Sequence, residues 1–246
     1  MSILEEIKYF TDKIFKISSV PKRFVNNINK LQHVGFAGID SRTDPEKLRS
    51  IEKEYPMVEW GVLMSSHWNE NGNRYMNPED LHKFEGLNLC GHLCGQMAKD
   101  MMKNDTHLLD KTYPGWEKIF KRIQVNVAPY DFEEGLDWKG NQELFIQCKP
   151  GKYVTYEKST GVGMIIDGSG GRGKSEKWTI YPSDKKIGYA GGLNPDNVVQ
   201  KTQDLMDNPK VSDFWIDMES GVRTDDWFDI EKVRKVLENL TKSYIL

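Results

Sequence analysis

The chain has 246 residues, a net charge of −3 and a sequence pI near 6.0, so no overall basic charge suggests nucleic-acid binding. Its hydrophobic content of 38% and mean hydropathy of −0.63 are typical of a soluble globular protein, and no apolar run approaches the roughly 20 residues of a membrane-spanning helix. Three cysteines fit no disulfide framework, and the acidic start MSILEEIKYF is unlike a secretory or transit peptide, so we expect a cytoplasmic protein that binds neither nucleic acid nor membrane.

The first predicted element is an amphipathic helix over residues 2–18, which Pro21 ends. Its apolar face is formed by Ile3, Ile7, Phe10, Ile14 and Ile17. Because Lys and Glu are mixed on its polar face, we expect the helix to pack on the main fold rather than lie on a membrane. The sequence thus predicts a helical extension over residues 1–31 and one domain over residues 32–246.

Eight short apolar runs follow, each typical of a buried strand. They are HVGFAGI (33–39), VEWGVLM (58–64), LNLCGHL (87–93), IQVNVA (123–128), ELFIQC (143–148), VGMIID (162–167), KIGYAG (186–191) and DFWIDM (213–218). Charged periodic stretches predict helices between many of them, at 44–54, 78–84, 94–104, 195–207 and 229–241. This alternation implies parallel strands, and eight units predict a (β/α)8 barrel, with a doubly wound sheet as the alternative.

The stretch DGSGGRGKS (167–175) matches the phosphate-binding pattern G-x-x-x-x-G-K-[ST] of nucleoside triphosphatases. In those proteins the motif leads directly into a helix. Here EKWTIYPSDKKIGYAGG follows, and Pro182 and a strand-like run leave little room for a helix. We therefore interpret the stretch as a glycine-rich loop after a strand that ends in Asp167, at the carboxyl-end mouth where barrel enzymes have their active sites.

Two later loops are better candidates for a phosphate site. In AGGLNPDNV, after the seventh strand, Gly191 and Gly192 permit close approach to the backbone, and Asn194 can cap a helix that begins at Pro195. In MESGVR, after the eighth strand, Gly221 leaves the backbone unobstructed. Either loop alone could be an ordinary glycine turn, but together they follow strands seven and eight, where such barrels often bind phosphate.

Several of these segments resemble one family. MIIDGSGGRGKSEKW, AGGLNPDNV and IDMESGV resemble the last three strand–loop units of the phosphoribosylanthranilate isomerase family. NRYMNPED (73–80) is similar to the Arg-Tyr segment after that family's second strand, and FAGI (36–39) to its first strand. The resemblance implies a (β/α)8 barrel that performs an Amadori rearrangement in tryptophan biosynthesis, in which a ribose ring opens, a proton moves and an enol becomes a ketone.

The resemblance also implies roles for individual residues. Asp167 is the acid for the ring oxygen, a role that requires a pKa raised by burial or by neighbouring acids. Arg74 pairs with the carboxylate of the aromatic acid, and Asp217 matches an acid that the family carries at its eighth strand. The remaining substrate-binding residues are Gly170, Gly171, Gly191, Gly192, Asn194, Ser220 and Gly221.

The base that this reaction requires is missing from its usual place. The family has a cysteine directly before the first-strand glycine, whereas this chain has Ala37, which cannot accept a proton. Asp40, three residues later, is the first candidate, because the related isomerases of histidine biosynthesis use a first-strand aspartate. Asp217, Glu219 and His92 are alternatives, and each of these groups could instead be a hydrogen-bonded polar side chain.

Further departures from the family change the predicted mouth. Glu219 stands where the family usually has serine, Arg172 where it usually has threonine, and Arg223 where it often has glutamate. We expect an isomerase of this type that binds a phosphorylated sugar. Two alternatives stay open: an enzyme with another phosphorylated substrate, and a barrel that only binds a phosphorylated metabolite or a partner.

The stretch CGHLCG (90–95) contains residue types that bind soft metals, namely Cys90, His92 and Cys94. Its spacing is not the paired spacing of zinc sites, and a fourth ligand is not evident. Free cysteines are commonly buried as small hydrophobic side chains. We therefore expect no metal and no cofactor, and the sequence gives no indication of the oligomeric state.

Overall fold

The computed structural model describes residues 30–70, 74–127, 134–169, 178, 180–181, 186–243 and 245–246. The predicted N-terminal helix and the residues Gly170, Gly171 and Arg172 lie outside these ranges, so the extension over residues 1–31 stays a prediction. In the described ranges, no helix has the length and apolar character that crossing a membrane requires.

Eight parallel strands form a closed barrel in chain order. They are β1 Leu31–Ala37, β2 Val58–Met64, β3 Leu89–Leu93, β4 Arg122–Val125, β5 Glu143–Cys148, β6 Val162–Asp167, β7 Ile187–Ala190 and β8 Phe214–Met218. Pairing of β1 with β8, in which Gly35 is in register with Asp217, closes the sheet. The predicted barrel is confirmed, and β2, β5 and β6 have the predicted bounds.

Helices connect most of the strands. They are α1 Pro45–Glu54, α2 Gly95–Met101, α3 His107–Thr112, α4 Trp116–Ile119, α5 Val154–Glu157, α6 Val198–Met206 and α7 Ile230–Lys242, with 3₁₀ helices at Pro78–Phe84 and Ser220–Val222. The side chain of Asp229 begins α7 by accepting hydrogen bonds from the backbone N–H groups of Glu231 and Lys232. The short helices α3, α4 and α5 were not predicted from the sequence.

Alternate residues of the strands belong to two separate apolar clusters. The larger cluster joins the outer strand faces to the helices, and Val233, Val236, Leu237 and Leu240 of α7 are completely buried in it. The smaller cluster consists of Phe145, Ile165, Ala190 and Trp215. Because side chains of a strand alternate between faces, this second cluster fills the inside of the barrel.

Charged side chains share the barrel interior with this small cluster, near the amino ends of the strands. Arg122 Nη1 lies 3.0 Å from Glu59 Oε2, and Arg122 Nη2 lies 2.8 Å from Glu143 Oε2. His33 Nε2 lies 3.4 Å from Glu59 Oε1, and the His33 ring stacks on Trp215 with centroids 5.3 Å apart. We call His33, Glu59, Arg122 and Glu143 the basal ion network.

A small hairpin follows β8. Its strands are β9 Arg223–Thr224 and β10 Trp227–Phe228, joined through Asp225 and Asp226 at φ angles of 49° and 63°. The hairpin is attached to the loop after β1, because the Arg42 guanidinium lies 3.6 Å above the Trp227 ring. It therefore projects at the carboxyl end of the barrel, where the candidate site lies.

Candidate active site

Two aspartates lie in one row across neighbouring strands at the carboxyl end of the barrel. Asp167 of β6 is in register with Ala190 of β7, and Ala190 is in register with Asp217 of β8. Ala190 belongs to the interior cluster, so both aspartates share its inward face. Strands lie about 4.8 Å apart, which places the two aspartate Cα atoms about 10 Å from each other with only a methyl group between them.

Asp217 is a buried carboxyl group without a matching positive charge in its row. Burial raises its pKa to about 8, and the carboxylates of Glu59, Glu219 and Asp167 act in the same direction, against a backbone hydrogen bond at Met218. At neutral pH Asp217 is therefore a neutral acid that carries a proton. Gly35 leaves the space for it, since a Cβ there would lie 2.5 Å from Asp217 Oδ1.

Asp167 is held by hydrogen bonds as an acceptor. Its Oδ2 accepts from Gln147 Nε2 at 2.6 Å, and its Oδ1 accepts from both the backbone N–H and the hydroxyl of Ser169 at 2.8 Å. Only 5% of Asp167 is exposed. The carboxylate is thus fixed at the end of β6, and its Oδ1 faces the loop that follows β7.

The glycine loop after β7 passes directly over Asp167. Gly191 has φ of 102° and Gly192 has φ of 72°, a conformation that residues other than glycine rarely adopt. A Cβ on Gly191 would lie 2.8 Å from Asp167 Oδ1. The two predicted features, the carboxyl group and the glycine loop, are therefore in direct contact.

The loops after β7 and β8 also touch each other. A Cβ on Gly221 would lie 1.9 Å from the Leu193 carbonyl oxygen and 2.8 Å from Asn194 Cβ, so only glycine fits there. Ser220 and Gly221 form the 3₁₀ turn at this contact. The structure thus brings together the described members of the predicted phosphate-binding set.

One detail of the predicted phosphate site is wrong. The helix after β7 begins at Val198 rather than at Pro195. Asn194 Oδ1 instead accepts hydrogen bonds from the backbone N–H groups of Asp196 and Asn197, which stabilises a preceding turn. Asn and Asp side chains compete with helix formation in this way, and the competition delays the start of α6 by three residues.

Asp40 has a structural role in the loop after β1. Its Oδ1 accepts hydrogen bonds from the Arg42 N–H at 3.0 Å and the Thr43 hydroxyl at 3.1 Å, and its Oδ2 accepts one from the Phe228 N–H at 2.9 Å. These bonds join the loop to the hairpin. Its predicted function as the base stays a prediction, but both oxygens already act in folding.

His92 lies beside the position where the expected cysteine is replaced. A Cβ on Gly61 would lie 2.8 Å from His92 Nε2 and 2.9 Å from the Ala37 Cβ. Burial lowers the pKa of His92 to about 4, so the ring is neutral. Gln124 Nε2, which also donates to Asn126 Oδ1, lies 3.3 Å from His92 Nδ1, and this network assigns the ring proton to Nε2. His92 thus presents an N–H donor toward Ala37.

Four charged residues form a further group at the mouth, which we call the mouth ion cluster: Arg74, Glu219, Arg223 and Asp226. Arg74 Nη2 lies 2.7 Å from Glu219 Oε1, and the Nε atoms of Arg74 and Arg223 lie 3.7 Å and 3.6 Å from Asp226 Oδ1. Arg223 Nη1 donates a hydrogen bond to the Gly38 carbonyl at 2.7 Å. The sequence did not reveal this cluster, because Glu219 and Arg74 are far apart along the chain.

The remaining motifs have simpler explanations. Cys90 is buried, and Cys94 Sγ accepts a hydrogen bond from Asn126 Nδ2 at 3.6 Å. In the part of the chain that the structure describes, no three His, Cys, Asp or Glu side chains form a metal-binding group. The segment that matches the triphosphatase pattern leaves β6 of a closed barrel, and none of the residues described between β6 and β7 is helical.

Comparison with known proteins gives three consistent results. Residues 146–239 match the sequence model of the family described as N-(5'-phosphoribosyl)anthranilate (PRA) isomerase. The N-(5'-phosphoribosyl)anthranilate isomerase of Clostridium acetobutylicum is 40% identical over an alignment of 142 residues that covers 51% of this chain and 66% of that protein, just under two thirds of its length.

Two solved structures have the same fold. The phosphoribosylanthranilate isomerase of Thermococcus kodakaraensis aligns with a TM-score of 0.52 and 16% identity, covering 85% of this chain and 99% of its own. That of Pyrococcus furiosus aligns with a TM-score of 0.54 and 15% identity, covering 86% and 99%. The sequence match runs from β5 into α7 and so includes the loops that carry the site. With these matches and its closed barrel, the chain has the fold of the phosphoribosylanthranilate isomerases and is similar to them in sequence over its C-terminal part.

Proposed function

We propose that the protein is an isomerase that binds a phosphorylated ribosyl amine at the barrel mouth and catalyses an Amadori-type rearrangement. The observation that carries the proposal is the row of Asp167 and Asp217 beside the glycine loops after β7 and β8. The family's description names a phosphoribosyl substrate, which supports this class of ligand. The free cysteines support a reducing, cytoplasmic location, as predicted from the sequence.

The rearrangement needs one proton donor and one proton acceptor at the same time. The donor protonates the ring oxygen as its bond to the anomeric carbon breaks. The acceptor removes a proton from the carbon next to the anomeric carbon, which forms the enol. We assign the donor to Asp217, which carries a proton at neutral pH, and the acceptor to Asp167, whose oxygens accept three hydrogen bonds. This assignment reverses the role that the family resemblance implies for Asp167 and requires no cysteine at position 37.

The phosphate group would bind where the two loops touch. Glycine at 191 and 221 lets the two loops pack closely at the carboxyl end, and backbone N–H groups in such glycine-rich loops are good donors to phosphate. The Gly191 contact with Asp167 supports a phosphate site next to the reacting groups. Ser220 and Asn194 lie at the same contact and would complete the phosphate-binding part of the proposed set.

Turnover of the N-phosphoribosyl adducts of anthranilate and aniline, followed by loss of fluorescence or by product analysis, tests the proposal. We expect Asp167→Asn and Asp217→Asn each to lower kcat/KM by about 10²–10⁴-fold, the typical value of a positioned acid or base. Asp204→Asn on the exposed side of α6 is the matched control and should keep full activity. Binding of ribose 5-phosphate without turnover of either adduct would contradict catalysis and support the binding-only alternative.

The pH profile tests the two assigned roles. With Asp217 as the donor, kcat/KM falls as the pH rises through about 8, because the group must be protonated. A profile that rises through the same pH would instead make Asp217 the base and return the acid role to Asp167. Removal of this pH dependence by Asp217→Asn identifies the titrating group.

A further inference from the structure

The mouth ion cluster bears directly on substrate choice, because it includes the arginine that the family resemblance assigns to a substrate carboxylate. In this chain Arg74 is already beside a carboxylate of the protein, with Nη2 only 2.7 Å from Glu219 Oε1. The two atoms form an ion pair without the alignment of a hydrogen bond. Glu219 thus stands where a substrate carboxylate would have to bind.

The position of Glu219 follows from the strand that carries it. Glu219 comes two residues after Asp217, so it continues the inward-facing side of β8 into the mouth. Its side chain is 23% exposed, and that of Arg74 is 35% exposed. An ion pair at this depth is screened less by solvent than a fully exposed pair.

The charges of the cluster balance within the described residues. Arg74 and Arg223 supply two positive charges, and Glu219 and Asp226 supply two negative charges at distances of 2.7–3.7 Å. An incoming aryl carboxylate would add a negative charge next to Glu219, whose own pKa is already raised by burial against the charges of Arg74 and Arg223. A neutral ring would meet no such repulsion.

We infer that Glu219 is a specificity residue: it occupies the Arg74 guanidinium, so the substrate is a phosphoribosyl amine whose nitrogen substituent carries no carboxylate. This inference rests on the proposed function and narrows its substrate class. Glu219 acts on specificity and takes no part in the proton transfers assigned to Asp167 and Asp217.

Calorimetric titration with two inert product analogues tests the inference. The probes are 1-(phenylamino)-1-deoxyribitol 5-phosphate and its 2-carboxyphenyl counterpart, with ribose 5-phosphate as a probe of the phosphate site alone. We expect the natural protein to bind the carboxylate-free analogue about tenfold more tightly, because like charges repel in a partly buried site. Glu219→Gln should shift this ratio by about tenfold toward the carboxyphenyl analogue, and the exposed Glu231→Gln should leave it unchanged.

Arg74→Gln provides a second, independent readout. In the Glu219→Gln background the Arg74 guanidinium is free, so adding Arg74→Gln should abolish the affinity gained for the carboxyphenyl analogue and leave that for the carboxylate-free analogue unchanged. An unchanged ratio in Glu219→Gln, or a gain for the carboxyphenyl analogue that persists in the double variant, overturns the inference. Failure of all three probes to bind would overturn the proposed function as well, whereas binding of ribose 5-phosphate with preference for the carboxyphenyl analogue overturns the inference alone.

Discussion

The pKa values of buried carboxyl groups shift in opposite directions at the two ends of the barrel interior. At the amino end, burial acts to raise the pKa of Glu59, but the hydrogen bond with His33 and the charges of His33 and Arg122 outweigh it and hold the pKa below its usual value. At the carboxyl end, burial raises the pKa of Asp217 to about 8, and the neighbouring charges of Glu59, Glu219 and Asp167 reinforce the effect. Burial is similar at both ends, so the partners decide the direction.

This difference separates a structural cluster from a reactive one. In the basal ion network Arg122 contacts two glutamates, and its guanidinium also lies 4.9 Å from the Phe145 ring centroid. At the mouth, Asp217 faces carboxylates instead of a cation. A carboxyl group that is kept protonated at neutral pH is ready for proton transfer, whereas a paired carboxylate contributes to folding.

The largest expected effect comes from breaking the basal ion network. Arg122→Met leaves Glu59 buried without its cation, and loss of one partner of a buried pair costs about 3–5 kcal/mol. Glu143→Gln is the matched control: its side chain is 62% exposed, so we expect a cost of about 0–1 kcal/mol. Urea unfolding of both variants measures the difference. Equal costs would show that Arg122 does not compensate a buried charge.

The pH dependence of stability separates the two ends. Asp217 titrates at about 3.9 in the unfolded chain and about 8 in the folded one, so its contribution to the free energy of unfolding is present below pH 3.9 and is lost as the pH rises through 8. Glu59 has a lowered pKa, so its contribution is present above about pH 4.3 and is lost on acidification below that value.

Urea unfolding between pH 2 and 9 measures both slopes in the natural protein, Asp217→Asn and Glu59→Gln. Asp217→Asn should remove the decline toward pH 8, and Glu59→Gln should remove the loss at the acidic end. An unchanged alkaline slope in Asp217→Asn would contradict the raised pKa on which the assigned donor role depends.

The fold was predictable because its main signals are local. Buried parallel strands appear as short continuous apolar runs, and VEWGVLM, ELFIQC and VGMIID correspond to β2, β5 and β6 without any shift. Helix starts were less certain, since the Asn194 side chain competes for the backbone after β7. The hairpin was missed because Asp225–Asp226 lacks the glycine that usually marks a two-residue turn.

The site was predictable only in part. The glycine loops and both aspartates follow recognisable strands, so their shared location at the mouth follows from the barrel. The raised pKa of Asp217 depends on burial and on charges from β2, β6 and the end of β8, and the pairing of Arg74 with Glu219 joins distant segments. Such convergence is a property of the folded chain, and no local pattern encodes it.

A smaller effect should follow from filling the space above Asp167. Gly191→Ala combines a left-handed backbone, φ of 102°, with a Cβ only 2.8 Å from Asp167 Oδ1, so we expect a loss of about 1–3 kcal/mol in stability and a more than tenfold weaker affinity for ribose 5-phosphate. Gly115→Ala, at φ of 80° with nothing within 4 Å, is the matched control for backbone strain alone. It should cost about 1 kcal/mol and leave binding intact. Equal affinities for ribose 5-phosphate in the two variants would mean that the loop after β7 does not form the phosphate site.

The smallest expected effect concerns the hairpin that carries part of the mouth ion cluster. Asp225 is exposed and has φ of 49°, which costs an L-residue about 1–2 kcal/mol, less for aspartate than for most residues. Asp225→Gly removes this strain but increases the freedom of the unfolded chain, so we expect a net gain of about 0.5 kcal/mol, whereas Asp225→Ala should lose about 1 kcal/mol. Unfolding curves of the two variants should therefore move in opposite directions. Movement in the same direction would mean that the Asp225 side chain itself stabilises the hairpin. The mouth of the barrel would then depend on specific polar contacts for its structure, as the amino end does on the basal ion network.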